Sequence, residues 1–343
     1  MRCSVIILNW NGLEMLRRYL PTVVKANGEG LEAKGEGLEA NVEIVVADNG
    51  SSDNSVDYVK KAFPQVRIIR LRHNYGFADG YNRAIKQTKQ SEYVVLLNSD
   101  VLVTEGWLDP LLDYMDAHPD VAAVQPKIRA MLDRERFEHA GAAGGYLDRL
   151  GYPFCRGRIL GSVEEDKGQY DETADIFWAS GACMVIRREV YEKEGGLDAG
   201  FFAHMEEIDL CWRLNCRGYR VVCVPESVVY HLGGGSLHYE SPRKTYLNFR
   251  NNLLMIYKNM PAGRLWRVLL WRWVLDYAAM AHLLLTGKFR NAWAIVRARF
   301  NYHLLKRQYK AKRQENMARA TIPYPSTISS RSILWDYYFR GVR

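Results

Sequence analysis

The sequence predicts an α/β protein: a mostly parallel sheet lies between helices, and a basic helical region follows at the carboxyl end. Three observations carry this reading. Four short β-rich runs at residues 3–8, 42–47, 66–71 and 93–97 are apolar at consecutive positions, as strands buried on both faces require. Polar, helix-compatible stretches separate them, so the strands are joined by crossovers. After Ser241-Pro242 the composition turns to Arg, Trp, Leu and Tyr, with a long helical periodicity reaching about residue 316.

Each element follows in order. The amino terminus, MRCSVIILNWNG, reaches a polar Asn after a short apolar run and reads as a strand, not a signal peptide. A helix follows. Next comes GEGLEAK at 28–34, repeated as GEGLEAN at 35–41, a tandem duplication whose glycines argue against a stable helix. It is expected as a surface insertion before the second strand. In an open parallel sheet, binding residues collect at the carboxyl ends of the strands. Those ends read Asn9-Trp10-Asn11-Gly12, Asp48-Asn49-Gly50-Ser51-Ser52-Asp53 and Asn98-Ser99-Asp100, all polar and turn-prone. Residues 141–168 are glycine-rich and irregular, 175–236 form a denser patterned block, and 317–343 are expected as an extended tail.

Composition bounds the function. At 343 residues with 48% hydrophobic and 25% charged residues, the chain is neither disordered nor collagen-like. Its net charge of +8 is unevenly placed. Residues 243–343 hold 20 Lys and Arg against Asp276, Glu315 and Asp336, a local +17, while the preceding 242 residues carry −9. A neutral-to-acidic body with a basic appendage is expected, the appendage meeting something anionic. The six cysteines form no CxxC pair and read as reduced thiols of a cytosolic protein.

Four places carry chemistry. Asp48 stands where a carboxylate can accept the N3–H of a uracil or thymine. Equally, it can close an Asx-turn or cap the helix at 54–62, roles also open to Ser52 and Asp53. Asn98 and Asp100 follow a buried strand, suited to holding Mg²⁺ or Mn²⁺ on a diphosphate or simply ending the strand. In Met205-Glu206-Glu207-Ile208-Asp209-Leu210-Cys211-Trp212-Arg213, helical spacing puts Glu206, Asp209 and Arg213 on one face. Carboxylates there suit the helix dipole; with Phe201-Phe202 before them, burial would also raise a carboxyl toward general-base use. His231, before Leu232 and three glycines, is either a strand-end histidine or a metal ligand joining Asp100.

In this order the pieces resemble the family-two glycosyltransferases, in their bacterial rhamnosyltransferase-like branch. The matching runs are VIILNWNG (5–12), VVADNGSSDNSV (45–56), NYGFADGYNRAI (74–85), YVVLLNSDV (93–101), SGACMVIRREVY (180–191), GGLDAGFFAHMEEIDLCWRL (195–214) and VVYHLGGGS (228–236), followed by YLNFRNNLLMIYKNMP (246–261). The resemblance implies a GT-A-type nucleotide-sugar fold and inverting transfer of a sugar, with rhamnose from dTDP-rhamnose the first choice. The acceptor would be a hydroxyl of a growing, lipid-linked cell-envelope glycan. Residues 1–242 would be catalytic, with a nucleotide-binding half to about 120 and an acceptor half after it.

By the same resemblance Asp48 would contact the base, with Asn9 and Asn11 beside it. The 74–82 loop, including Asn74, Gly76, Asp79 and Asn82, would close on the nucleotide. Asn98 and Asp100 would occupy the DxD position, with a divalent metal held by Asp100, His231 and Asn98. Glu207 would be the base, Glu206 its substitute, and Asp209 a structural partner of Arg213. Two departures stand out: Asn98 replaces the usual Asp, and Glu207 is one methylene longer than the usual Asp. These departures leave a non-catalytic nucleotide-sugar-binding subunit as an alternative. A nucleotidyltransferase would show a basic glycine loop after the first strand, and Asn9-Trp10-Asn11-Gly12 is not one.

The basic region is expected to meet an anionic membrane surface, not nucleic acid, and so to place the chain peripherally on the inner face of a bacterial cell membrane. Residues 265–285 are apolar except Arg267, Arg272, Asp276 and His282. Two charges near the centre cost about 2.5–3.5 kcal/mol each on insertion scales, which argues against crossing. On a helical wheel the four polar residues share one half, opposite Leu269, Leu270, Trp273, Val274, Tyr277, Met280 and Leu284. That pattern reads as an amphipathic helix lying on a surface. The alternative is that the apolar face packs on the body or on a second subunit.

Overall fold

The structure, a computed structural model, describes residues 1–32, 42–233 and 241–342. In chain order it runs β1 (Cys3–Asn9), α1 (Leu13–Glu32), β2 (Val42–Asp48), α2 (Ser55–Ala62), β3 (Arg67–Arg70), α3 (Gly76–Ile85), β4 (Tyr93–Asn98), β5 (Val101–Val103), α4 (Asp109–Ala117) and β6 (Val121–Ala130). It continues with β7 (Gly145–Asp148), β8 (Pro153–Cys155), β9 (Arg158–Ile159), β10 (Ser162–Val163), β11 (Ala174–Ile176), β12 (Cys183–Arg187), α5 (Arg188–Lys193), α6 (Glu206–Cys216) and β13 (Arg220–His231). The carboxyl region is α7 (Pro242–Asn259), α8 (Ala262–Leu285), α9 (Phe289–Leu305), α10 (Lys310–Arg319), β14 (Ile328–Ser329) and α11 (Ile333–Phe339).

The main sheet has the order β11-β13-β6-β12-β4-β1-β2-β3, with β5 paired to β13. β1 runs parallel to β2 and β4, and β2 runs parallel to β3. The direction reverses at β12, which is antiparallel to both β4 and β6. Successive strand residues face opposite sides, so the apolar runs feed two cores. Val5, Ile7, Val95 and Leu97 pack under Leu16 and Leu20 of α1 and Leu112 of α4. Ile6, Val45, Val94 and Leu96 belong to the other core, with Tyr81 of α3, Trp212 of α6 and Leu254 of α7. The strand assignments therefore hold to within a residue at most ends.

Four expectations are corrected. The 74–82 segment is not a loop: from Gly76 onward it is α3, and its side-chain roles change accordingly. Helix α1 continues to Glu32, into the first copy of the duplication, while residues 33–41, including the whole second copy, lie outside the described residues. The stretch 141–168 contributes a second sheet in the order β10-β9-β8-β7, and the supposed tail joins it through β14, parallel to β7, before forming α11.

The fourth correction concerns the basic region, which is built into the body. Lys258 Nζ of α7 lies 2.6 Å from Asp198 Oδ2 and 2.8 Å from Asp209 Oδ2 of α6, all buried. Asp209 also accepts from Arg213 Nε at 3.2 Å and Asn259 Nδ2 at 2.8 Å, and Lys312 of α10 reaches Asp198 Oδ1 at 2.7 Å. Asp209 is thus a structural anchor of Arg213, as expected. The two central charges of α8 likewise turn inward, while Arg267 and His282 stay exposed. Arg272 and Asp276 are buried against Arg299 of α9, whose Nη1 stands 2.6 Å from Asp276 Oδ2.

Candidate active site

The carboxyl ends of β1 and β4 open into a cavity of about 510 Å³, closed on the far side by the start of α6 and the amino end of α7. That size suits a ligand of several rings and phosphates. Register builds one corner of it. β13 pairs with β5 so that His231 lies opposite Val101, one residue after Asp100, and Leu232 N donates to Asp100 O at 3.1 Å. His231 Nε2 consequently stands 3.2 Å from Asp100 Oδ1 and 3.4 Å from Asn98 Nδ2. Its Nδ1 lies 3.4 Å from Glu138 Oε2, a contact made by charge more than by an aligned hydrogen bond. Burial alone would depress this imidazole, but Asp100 and Glu138 on its two nitrogens raise it to about 10. The two carboxylates therefore draw positive charge to this corner, which a proton on His231 or a bound cation would supply.

The same corner fits a divalent cation. Two ligands at right angles around a small cation, each about 2.0–2.2 Å from it, stand about 3 Å apart, which matches the Asp100–His231 separation. Among the described residues no cluster of three or more His, Cys, Asp or Glu side chains is gathered for a metal. The remaining positions on an ion would fall to diphosphate oxygens and water, the usual arrangement for Mg²⁺.

The opposite wall carries Glu206 and Glu207, each with a buried Oε2 that has no hydrogen-bond partner. Burial lifts Glu207 to about 7, against the pull of backbone N–H groups at Glu207 and Ile208. Burial lifts Glu206 well above the usual carboxyl range, and the neighbouring Glu207 adds to the effect. The approach to this wall is strained: Phe202, His204 and Met205 all have left-handed backbone, with φ of 67°, 70° and 73°. Asn251 of α7 holds that turn, its Nδ2 donating to Phe201 O, Ala203 O and His204 O at 2.8–2.9 Å.

The third wall is a set of interlocked loops. Asn11, at φ 52°, accepts from Ser52 N at 2.7 Å. Asp53 accepts from Leu13 N at 3.0 Å and Ser55 Oγ at 2.6 Å. Asn49 Nδ2 donates to Asn74 Oδ1 and Gly76 O, and its Oδ1 accepts from Tyr75 N. Gly76 must be glycine here: at φ +79°, a Cβ would sit 2.5 Å from Phe202 O.

The structure thus brings Asn11, Asn74, Gly76, Asn98, Asp100, His231, Glu206 and Glu207 around one cavity. Four other predicted residues serve the framework behind it. Asn9 is fully buried and donates to Ser55 Oγ at 2.9 Å. Asp48 accepts from Ser51 N at 3.4 Å, the Asx-turn alternative. Asp79 pairs with Arg83 at 2.7 Å, and Asn82 ties α3 to Leu197 and Tyr191. Sequence reasoning missed Glu138, His139, His204, Arg243 and Lys244, which also line the cavity. Only the basic pair after Ser241-Pro242 carried a signal, a helix start with two cations in its first turn.

Comparison with known proteins agrees with this geometry. The model of glycosyl transferase family 2 matches residues 4–195. An N-acetylglucosaminyl-diphospho-decaprenol L-rhamnosyltransferase of Mycobacterium tuberculosis is 29% identical over 204 residues, covering 55% of this chain and 66% of that protein. The chain thus spans slightly less than two thirds of that relative's length. Among solved structures, S. aureus TarS 1-349 in complex with UDP-GlcNAc superposes with a TM-score of 0.57 at 15% identity, over 92% of this chain and 89% of that one. GalNAc-T7 with UDP, GalNAc and Mn²⁺ gives 0.58 at 18% identity, over 76% and 48%. At such identities the likeness shows the fold alone, the GT-A nucleotide-sugar fold expected from the sequence.

Proposed function

The chain belongs to glycosyl transferase family 2, and we propose that it is an inverting glycosyltransferase. It would move a sugar from a nucleoside-diphosphate donor to a hydroxyl of a lipid-linked cell-envelope glycan. The observation that carries this is the pairing across one cavity: an unpartnered carboxyl near neutrality, Glu207, opposite the charged Asp100–His231 corner. Residues 1–242 are taken as the catalytic part. Rhamnose from dTDP-rhamnose is the first donor to test, since the M. tuberculosis relative is an L-rhamnosyltransferase.

In this reading the base and ribose lie along Trp10, Asn11, Asn49, Asp53 and Asn74, and the diphosphate extends toward Asp100 and His231. Glu207, as carboxylate, takes the proton of the acceptor hydroxyl. The oxygen attacks the anomeric carbon from the face opposite the leaving group, and the bond to the β-phosphate oxygen breaks with its electron pair on the departing diphosphate. A divalent metal on Asp100 and His231, with Asn98 beside them, would supply electrostatic stabilisation of that developing charge. Asn251 keeps Glu207 aimed by fixing the strained turn before it. The chain would sit peripherally, on an anionic membrane surface at the inner face of the cell membrane, where a lipid-linked acceptor is presented.

A thermal-shift panel of dTDP-rhamnose, UDP-glucose, UDP-N-acetylglucosamine and UDP-galactofuranose, with and without Mn²⁺, tests donor binding. One donor should raise Tm, and more so with Mn²⁺. Glu207→Gln should show the same shift while transfer falls about 10²–10⁴-fold. If no sugar nucleotide moves Tm, the functional reading fails.

A further inference from the structure

Helix α8 is folded with its two central charges inward and a row of large apolar side chains outward. Between Val268 and Leu285 both charged residues, Arg272 and Asp276, are buried: Arg272 stacks on Tyr152, 4.0 Å from its ring centre, and Asp276 is held by Arg299. The exposed side of the same stretch presents Leu270, Trp271, Trp273, Val274, Leu284 and Leu285, between 42% and 89% exposed, and His282 is its one polar side chain. Helix α9 extends this face with Phe289, Trp293, Phe300 and Leu304, each more than half exposed. A water-facing surface of a soluble protein does not gather tryptophans and leucines in this way.

Charge decides what covers the face. From 262 to 305 the only acidic residue is Asp276, which is buried, while Arg264, Arg267, Arg290 and Arg297 are exposed around the apolar side chains. Two copies pressed together through this face would bring like charges into contact, whereas anionic headgroups would neutralise them. Helix α8 is long and apolar enough to cross a bilayer, but its two central charges are bonded to the body, so crossing would break that packing. Tryptophan beside arginine suits the headgroup boundary.

We propose that the outward face of α8 and α9 is a monotopic anchor, sinking its Trp, Leu and Phe side chains into one leaflet of an anionic bilayer. This specifies the peripheral placement proposed above. It also orients the cavity: Asn291 Nδ2, in the first turn of α9, donates at 3.0 Å to Thr245 Oγ1, next to the wall residues Arg243 and Lys244. The first turn of α9 is therefore bonded to the residue that follows the cavity wall, which brings the anchor and the acceptor side of the cavity to the same end of the molecule.

The test uses the full chain with phosphatidylglycerol/phosphatidylcholine vesicles and with pure phosphatidylcholine vesicles, some carrying brominated acyl chains. Wild type should sediment with the anionic vesicles, lose affinity as salt rises, and have its tryptophan fluorescence quenched by the brominated lipid. The triple variant Trp271→Ser, Trp273→Ser, Trp293→Ser should keep its Tm and bind at least tenfold more weakly. Arg264→Gln with Arg290→Gln should lose the preference for anionic lipid and keep quenching at high lipid. Absence of vesicle binding at low salt overturns the proposal. So does a dimer that the triple variant dissociates, which would make the face a subunit interface. Resistance to alkaline extraction from membranes would show a crossing helix and overturn the monotopic mode. Binding is read without turnover, so a chain that binds vesicles and transfers no sugar contradicts the enzymatic reading and leaves the anchor standing.

Discussion

Glu206 and Glu207 occupy the same first turn of α6, yet their surroundings separate them. Glu206 is almost wholly buried, and burial with the neighbouring Glu207 holds its carboxyl well above the usual range, while Glu207 is half-buried, faces the cavity and is raised to about 7. A base must be deprotonated to act, so transfer by the wild type should fall as pH drops through about 7. Stability should move the other way. With a folded value raised above the ordinary 4.5, Glu207 favours the folded state fully below about 4.5 and loses that contribution as pH climbs through 7. Glu207→Gln has no charge to bury, so its Tm should exceed that of wild type at pH 8 by about 2 °C or more and match it at pH 4, by calorimetry. Equal Tm at pH 8 would show that Glu207 is not buried as a carboxylate. At the other wall, Asp100→Ala and His231→Ala should each raise the Mn²⁺ concentration needed for half-maximal transfer, measured by titration after EDTA treatment. Full activity in EDTA would remove the metal.

Helices and strands show which parts of the site a sequence displays. The strand ends were legible because a fully buried parallel strand must be apolar at successive positions, and the polar residues that stop it are the ones facing the cavity. Glu138 was not legible: it is a lone carboxylate before an irregular glycine stretch, brought to His231 only by pairing between distant strands. Asn251 was equally silent, since its amide bonds carbonyls of a turn nearly fifty residues away. The wheel of α8 put Arg267, Arg272, Asp276 and His282 on one half, but only Arg272 and Asp276 turn inward, while Arg267 and His282 stay exposed beside the tryptophans. A buried Arg–Asp–Arg set can satisfy itself against the body as readily as a leucine stripe. Asn251→Ala should leave the Ala203 and His204 carbonyls without their donor, cost about 1–3 kcal/mol of stability, and lower kcat with donor KM little changed. A rise in donor KM alone would mean that the turn serves the nucleotide and not the base.

At the scale of the molecule, the basic carboxyl region and the α/β body form a single packed structure. Lys258 bonds Asp198 and Asp209 together, so removal of the carboxyl helices would leave buried carboxylates without their cation. Lys258→Met should destabilise the whole chain by about 3 kcal/mol in urea unfolding. The same packing places Glu207, the Asp100–His231 corner and the outward face of α8 in fixed relation, as the proposed transfer to a lipid-linked acceptor requires. The most direct test is the stereochemistry of the product. The donor that raises Tm is incubated with a soluble glycan acceptor, and the new anomeric signal is read by NMR for wild type and Glu207→Gln. Inverting transfer through Glu207 predicts a product of the opposite anomeric configuration to the donor, absent with the variant although it binds the donor equally. A product that retains the donor's configuration, or normal turnover by Glu207→Gln, would contradict it.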